Sequence, residues 1–328
     1  MADKTNTLTR REAMIRMLQL AGAGLATAGG GLWLNRRSHR PEAVLAMGAK
    51  HSHLVPADPA FPEMALLEGN DPAQMAHAAI DLLGGMKRFV ARGDVVLVKP
   101  NIGWDRTPEQ AANTNPELVA EVVRECLNAG AKRVIVTDVS CNDAQRSFQR
   151  SGIAAAAQQA GAEVMLPEPE RFKEVDLQGE MLRAWQVYEP FLNCDKIINI
   201  PIAKHHSLTG CTLGMKNWYG ILGGPRHQLH QKIHESLVDL ADFMRPTLTI
   251  IDCYRVLLRN GPTGGRLEDV LLKKALVAGT DPVALDAYVA KSLWNLEAAA
   301  LPYLALAAKR GLGTCEFEKV RTQVKSLL

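Results

Sequence analysis

The sequence predicts an α/β fold, a mostly parallel sheet covered by helices on both faces, arranged as one large domain or two lobes. Three observations carry this reading. Short β-branched or aliphatic runs alternate with longer stretches of helical period. The runs are apolar at consecutive positions, as strands buried on both faces require. Several stop at Pro, Asp or Asn, where a parallel strand hands over to a loop. In chain order the strand-like runs are 95–98, 134–136, 164–166, 197–202, 248–251 and 276–277, and the helical patterns are 74–90, 116–128 and 233–244. The second helix is the best punctuated: Asn115 is placed to cap it, Pro116 opens it, Leu118, Val122 and Cys126 share a face, and Gly130 follows its end.

Residues 1–49 read as an address ahead of an α/β body at 50–328. Thr9, Arg10 and Arg11 precede a Gly/Ala-rich apolar run at 17–34, the pattern of a twin-arginine signal that engages the bacterial machinery for folded export. Ala13 and Met14 stand where a bulkier apolar pair is usual. The expected location is therefore periplasmic or exported, with small-residue cleavage candidates at 26–28 and 44–46. An uncleaved leader would instead anchor the protein, although the run barely reaches the ~20 residues that span a bilayer.

The roughly 280 residues that follow are enough for a sizeable core. Hydrophobic content is 47%, net charge is +3, and no basic run lies beyond the leader, so a nucleic-acid partner is not expected. The six cysteines contain no C-x-x-C pair, which removes the local spacing of an iron–sulfur cluster or structural zinc site. An oxidising compartment would permit disulfides, while four of the six lie in or beside apolar runs that suit buried free thiols.

Residues 204–234 hold five of the nine histidines, with Lys204, Lys216, Asn217, three hydroxyl residues and several glycines. Burying ammonium groups and imidazoles without partners costs several kcal/mol, so packing alone does not account for this composition. Lysine with Gly, Thr and Asn supplies flexible backbone, donors and positive charge, which suits a small anionic ligand. Ligand crevices of open α/β sheets lie beyond the strands' carboxyl ends. There the chain delivers Lys99, Pro100 and Asn101, then Thr137 and Asp138, then Lys204 and His206, then Asp252. The expected substrate-binding set is Lys99, Asn101, Thr209, Thr212, Lys216 and Asn217, with Lys204, His206 and His230 as catalytic residues. Thr209 and Thr212 are expected on one helical face, and only one of His205 and His206 is expected to face the site.

His227, His230 and His234 carry a spacing that brings imidazoles together on a helix, so His230 and His234 with Asp252 and Asp286 are the candidate ligands for a divalent metal. No H-E-x-x-H pattern accompanies them. Asp138 and Asp252 have a second reading as turn caps, and Asp281 reads as the N-cap of a helix opening at Pro282. Turn chemistry accounts for the Gly/Pro-rich stretch at 260–265.

Val98-Lys99-Pro100-Asn101, Asn115-Pro116-Glu117-Leu118, Lys204-His205-His206 with Thr212 and Lys216-Asn217, Asn260-Gly261-Pro262 and Asp281-Pro282-Val283-Ala284-Leu285-Asp286 together resemble the domain of unknown function 362 (DUF362) family. The likeness runs over about residues 60–320. Some members carry ferredoxin-type cysteine clusters, a segment this chain lacks. The resemblance also implies a fold similar to that of the nickel-pincer lactate racemase group, whose site sets lysines and histidines around a carboxylate. The functional expectation is an exported enzyme that binds a small carboxylate or phosphate compound in a Lys/His-lined cleft, with its cofactor unassigned. The alternative is a non-catalytic periplasmic protein that carries a metal or cofactor to a redox partner.

Overall fold

A computed structural model describes residues 53–328. The expected twin-arginine signal and its cleavage candidates lie outside the described residues. Within them the predicted α/β architecture is present. Ten strands form one sheet, of which eight run in the order β12-β1-β11-β10-β7-β2-β3-β4, while β8 pairs with β10 and β9. The strands are β1 (Met64–Gly69), β2 (Val95–Pro100), β3 (Arg133–Val136), β4 (Glu163–Val164), β7 (Lys196–Ile200), β8 (Ile202–His206), β9 (Gly210–Thr212), β10 (Leu248–Leu257), β11 (Val270–Gly279) and β12 (Thr322–Leu327). A separate hairpin joins β5 (Phe172–Asp176) to β6 (Ala184–Tyr188). The block β10-β7-β2-β3-β4 is parallel throughout, and β11 runs antiparallel to both its neighbours.

Consecutive apolar residues in the central strands are explained by burial on both faces. Leu97 joins a core packed by the helices Ile233–Met244, Pro282–Trp294 and Pro302–Lys309, whereas Val96 and Val98 join a second core under the helices Pro72–Leu82, Pro116–Ala129 and Ile153–Gln159. The two cores are the two faces of one sheet, not two lobes.

The helix Pro116–Ala129 forms as its punctuation requires: the Asn115 side chain accepts from the Glu117 amide, and Gly130 closes it at φ 107°. The pattern at 74–90 does not remain one helix. It runs from Pro72 to Leu82, capped by Asp71, and stops where Gly84 and Gly85 take φ of 103° and 80°. The run at 197–202 likewise divides. Pro201 has no amide to donate, so β7 ends at Ile200 and β8 turns away to pair with β10. Asp281 caps its helix as expected, accepting from the Val283 and Ala284 amides.

The expected helical face shared by Thr209 and Thr212 is absent. Gly210, at φ 71°, turns the chain back into a β8–β9 hairpin that sets Lys204 opposite Thr212. A 3₁₀ segment, Lys216–Ile221, then follows.

The cysteines are free, with Cys126, Cys194, Cys211 and Cys253 buried. Among the described residues no helix is long and apolar enough to cross a membrane.

Asp252 ties the sheet to the helix at Pro116. Its buried carboxylate accepts from the Asn115 and Tyr254 amides at 2.8 and 3.0 Å. Asp252→Ala strands the buried Asn115 amide, and it is expected to lower unfolding free energy by about 1–3 kcal/mol. The shift of a urea midpoint measures this.

Candidate functional site

The carboxyl ends of β2 and β3 meet β8, β9 and the 3₁₀ segment around a cavity of about 180 Å³. Asn101, Lys204, His206, Thr212, Lys216, Asn217 and His230 line it, joined by Trp104, Asp138, Cys141, Tyr219, Arg226 and Pro262. Lys204 and His206 both enter because alternate residues of a strand share a face, which also turns His205 out of the cavity.

Lys99 is 0% exposed, Lys204 1% and Lys216 8%, and the three differ in how their charge is met. Lys99 is not a cavity residue. Its Nζ donates to Asp138 Oδ1 at 2.7 Å and to Pro100 O at 3.0 Å, so it forms an ion pair behind the wall and does not stand ready for substrate. Burial pushes Lys99 below the usual lysine value, and Asp138 opposes that shift. The second Asp138 oxygen accepts from the Ile102 amide at 2.6 Å.

Lys204 donates to Asn101 Oδ1 at 2.8 Å and to Ala112 O at 2.7 Å. Burial lowers its pKa to about 7, with the Lys216 and Lys99 charges adding to the shift and Cys141 and Asp138 opposing it. Lys216 has no hydrogen bond or ion pair among the described residues and lies 4.4 Å from the centroid of the Tyr219 ring. Burial lowers it to about 8, and Arg226 contributes. Thr212 adds a buried hydroxyl without a partner among the described residues.

The histidine tautomers follow from their neighbours. His206 Nδ1 accepts from the Leu208 and Thr209 amides at 3.2 and 3.3 Å, so its proton sits on Nε2. Burial and the nearby cations lower its pKa to about 3. Neutral in this arrangement, it presents Nε2–H as a hydrogen-bond donor. His230 shows the reverse arrangement. Its Nδ1 donates to His227 O at 3.2 Å, leaving the Nε2 lone pair free to accept a proton. Burial first, then Lys216, lowers its pKa from the ordinary value. The two rings stack at 6.4 Å, and Tyr219 meets His230 edge-on.

Asn101 and Asn217 serve the site indirectly. Asn101 Nδ2 donates to Asn217 Oδ1, Asn217 Nδ2 donates to Asn199 Oδ1 and Lys99 O, and Asn199 Nδ2 donates to Gly214 O. This buried amide chain fixes which atom of Asn101 faces Lys204. Thr209 stays outside the cavity lining, because its hydroxyl donates to Cys211 O.

The proposed metal ligands do not converge. His230 lines the cavity, His234 stacks on Tyr303, Asp252 holds the Asn115 and Tyr254 amides, and Asp286 holds the Gly214 and Met215 amides. Burial lifts Asp286 to about 7 and Asp252 to about 6, against those amides. Among the described residues the group with metal-ligand spacing is instead His77, Glu121 and Glu125, on the helices Pro72–Leu82 and Pro116–Ala129. Its members already pair: His77 with Glu125 and Asp81, and Glu121 with Arg124.

Trp104, Tyr219 and Arg226 were not singled out from the sequence. Arg226 lies inside the histidine-rich stretch that marked the site, and its guanidinium is consumed by Val139 O, Ser140 O and Tyr219 O. Trp104 follows Asn101 by three residues in the post-strand loop, so strand-end position was the available signal.

Fold and site together define an α/β protein with a cation-rich cleft at the strands' carboxyl ends. The chain belongs to the family described as Domain of unknown function (DUF362), whose model matches residues 96–291, more than half of its length. A thylakoid-associated protein of Synechocystis is 28% identical over 241 residues, covering 71% of this chain and 73% of the relative. The lactate racemase apoprotein of Thermoanaerobacterium thermosaccharolyticum aligns with a TM-score of 0.42 at 10% identity, over 72% of this chain and 58% of that one. A Thermotoga maritima protein aligns with a TM-score of 0.38 at 13% identity, over 74% and 60%. The chain thus spans less than two thirds of either solved structure.

Gly220 is required by the ion pair under the cleft. A Cβ there would fall on Asp138 Oδ1 and 2.7 Å from Lys99 Nζ. Gly220→Ala is expected to cost about 1–3 kcal/mol as an overpacked site. Calorimetric melting measures the loss, and an unchanged melt would show that the wall yields.

Proposed function

We propose that this protein is an exported enzyme whose cleft takes a small anionic molecule, a carboxylate or phosphate compound. Lys216 receives its charge, with the Thr212 hydroxyl and His206 Nε2–H as further donors, and Lys204 and His230 exchange protons. The observation that carries this reading is the Lys216 ammonium, buried at the cavity wall with neither a hydrogen bond nor an ion pair among the described residues. An isolated buried cation is costly, and an arriving anion compensates it. A cleft of about 180 Å³ favours a compact ligand. Cleft residues with displaced pKa values of about 7 and 8 support proton chemistry near neutral pH. The twin-arginine leader supports export of the folded protein. For the metal-delivery alternative, only His230 of the four proposed ligands lines the cleft, while His234 stacks on Tyr303 and Asp252 and Asp286 hold backbone amides.

Titration calorimetry with oxalate and with inorganic phosphate tests the reading. Lys216→Met is expected to weaken binding by about 2 kcal/mol, roughly thirtyfold. Its thermal stability should hold or rise, since the substitution removes an uncompensated buried charge. Equal affinity in wild type and variant would refute the assignment.

The pH dependence has a definite sign. Lys216 must be protonated to attract the anion, so affinity should fall as pH rises through about 8. Stability without ligand should move oppositely. Lys204 and Lys216 have folded pKa values below the free lysine value of 10.5, so the unfolded chain binds more protons between those limits. Their destabilising contribution is present below about 7 and 8 and is relieved as pH climbs toward 10.5. Urea unfolding from pH 7 upward, wild type against Lys216→Met, should show the smaller rise in the variant.

A further inference from the structure

The two cavity lysines each face an aromatic ring, Lys216 that of Tyr219 and Lys204 that of Trp104 at 6.0 Å, and they differ in their hydrogen-bond acceptors. Lys216 lies against the face of Tyr219 at 4.4 Å, which favours an ammonium, and among the described residues nothing accepts its hydrogens. Lys204 has two acceptors, Asn101 Oδ1 and Ala112 O, at 2.8 and 2.7 Å. A neutral amine carries two hydrogens, so both would be engaged and its lone pair turned away from both acceptors. Asn101 cannot easily flip to offer its amide nitrogen, because that nitrogen already donates to Asn217, whose own amide is held by Asn199 and Lys99 O. Across the hairpin, Lys204 pairs with Thr212, whose buried hydroxyl has no partner among the described residues. Cross-strand partners present their side chains on one face, so that hydroxyl and the Lys204 side chain line the same cavity.

We propose that Lys204 is a Schiff-base lysine for small 2-oxo carboxylates, with Lys216 holding the carboxylate while the ketone carbon meets the Lys204 amine. This rests on the anion-binding reading above and adds a substrate class and a covalent step. The lone pair of Nζ attacks the carbonyl carbon, a C–N bond forms, and the carbonyl π electrons move to oxygen, which gains a proton. The resulting carbinolamine loses its hydroxyl as water while the nitrogen lone pair closes the C=N bond. Amine, ketone and one proton thus give a protonated imine and water, with no change of oxidation state. His230 Nε2 is the cavity base that can take the proton released from nitrogen and return it to the leaving hydroxyl, and Thr212 is placed to donate to that oxygen. A lysine amine made available by desolvation and by neighbouring cations is the form such chemistry needs.

The test uses the full chain with pyruvate as probe and cyanoborohydride as trap, followed by intact mass and peptide mapping. The expected result is one reduced pyruvyl adduct on Lys204, abolished in Lys204→Arg and suppressed by oxalate, which supplies the carboxylates without a ketone. A wild-type protein that binds oxalate yet yields no Lys204 adduct, or yields adducts only on exposed lysines, overturns the Schiff-base assignment and leaves the anion cleft standing. Failure to bind oxalate as well as failure to form the adduct overturns both.

Discussion

The interior of this protein places more positive charge at the carboxyl end of its sheet than it neutralises there. Lys99, Lys204, Lys216 and Arg226 converge, while Asp138 is the one carboxylate of the cavity lining. Each cation is handled differently. Lys99 is cancelled by Asp138, Arg226 is absorbed by three backbone carbonyls, Lys204 is held by neutral acceptors, and Lys216 is left over. Removing water from ammonium groups is expensive, and proximity adds to the cost, since Lys216 and Lys99 lower the proton affinity of Lys204, and Arg226 that of Lys99 and Lys216. The core that surrounds them must therefore supply the stability that the cleft subtracts.

The sheet supplies it through position. Its parallel centre is buried on both faces, so packing fixes β2, β3 and β7. Their ends then deliver side chains in fixed register. Lys99 lies beside Asn199 in the β2–β7 pairing, and that pairing starts the amide chain running from Lys204 to Gly214. Such a chain is specific because each amide has one satisfactory orientation, and a half-satisfied version would leave buried polar groups unpaired. Pro201 makes the cleft by ending β7, so that β8 leaves the strand line and carries Lys204 and His206 across the mouth.

Much of this was legible in the sequence because it rests on local rules. Apolar runs ending in Pro, Asp or Asn gave the parallel centre and its polar carboxyl edge, and Asn115, Pro116 and Gly130 gave a helix with its two ends. The concentration of histidine and lysine at 204–234 identified the segment that supplies most of the cavity. What the sequence did not reveal depends on partners far along the chain. Lys99 read as a ligand because nothing local shows Asp138 standing 2.7 Å away. Thr209 and Thr212 read as helical because three-residue spacing carries that meaning only if the backbone is helical, and Gly210 turns it into a hairpin. His230, His234, Asp252 and Asp286 suggested a metal by residue type, whereas the fold assigns the two carboxylates to backbone amides. The exposed edge strand β12 has little apolar signal of its own and takes its place by pairing with β1.

Burial lowers the pKa of Lys204 to about 7 and of Lys216 to about 8, and the chemistry of the cleft rests on those two shifts. Selective labelling of lysine ε-carbons, followed by an NMR titration of wild type, Lys204→Arg and Lys216→Met, measures this directly. Two resonances titrating near 7 and 8, each lost in one variant and the Lys216 signal moving upward when oxalate is added, is the predicted result. A spectrum in which every lysine titrates near 10.5, unaffected by oxalate, would contradict it.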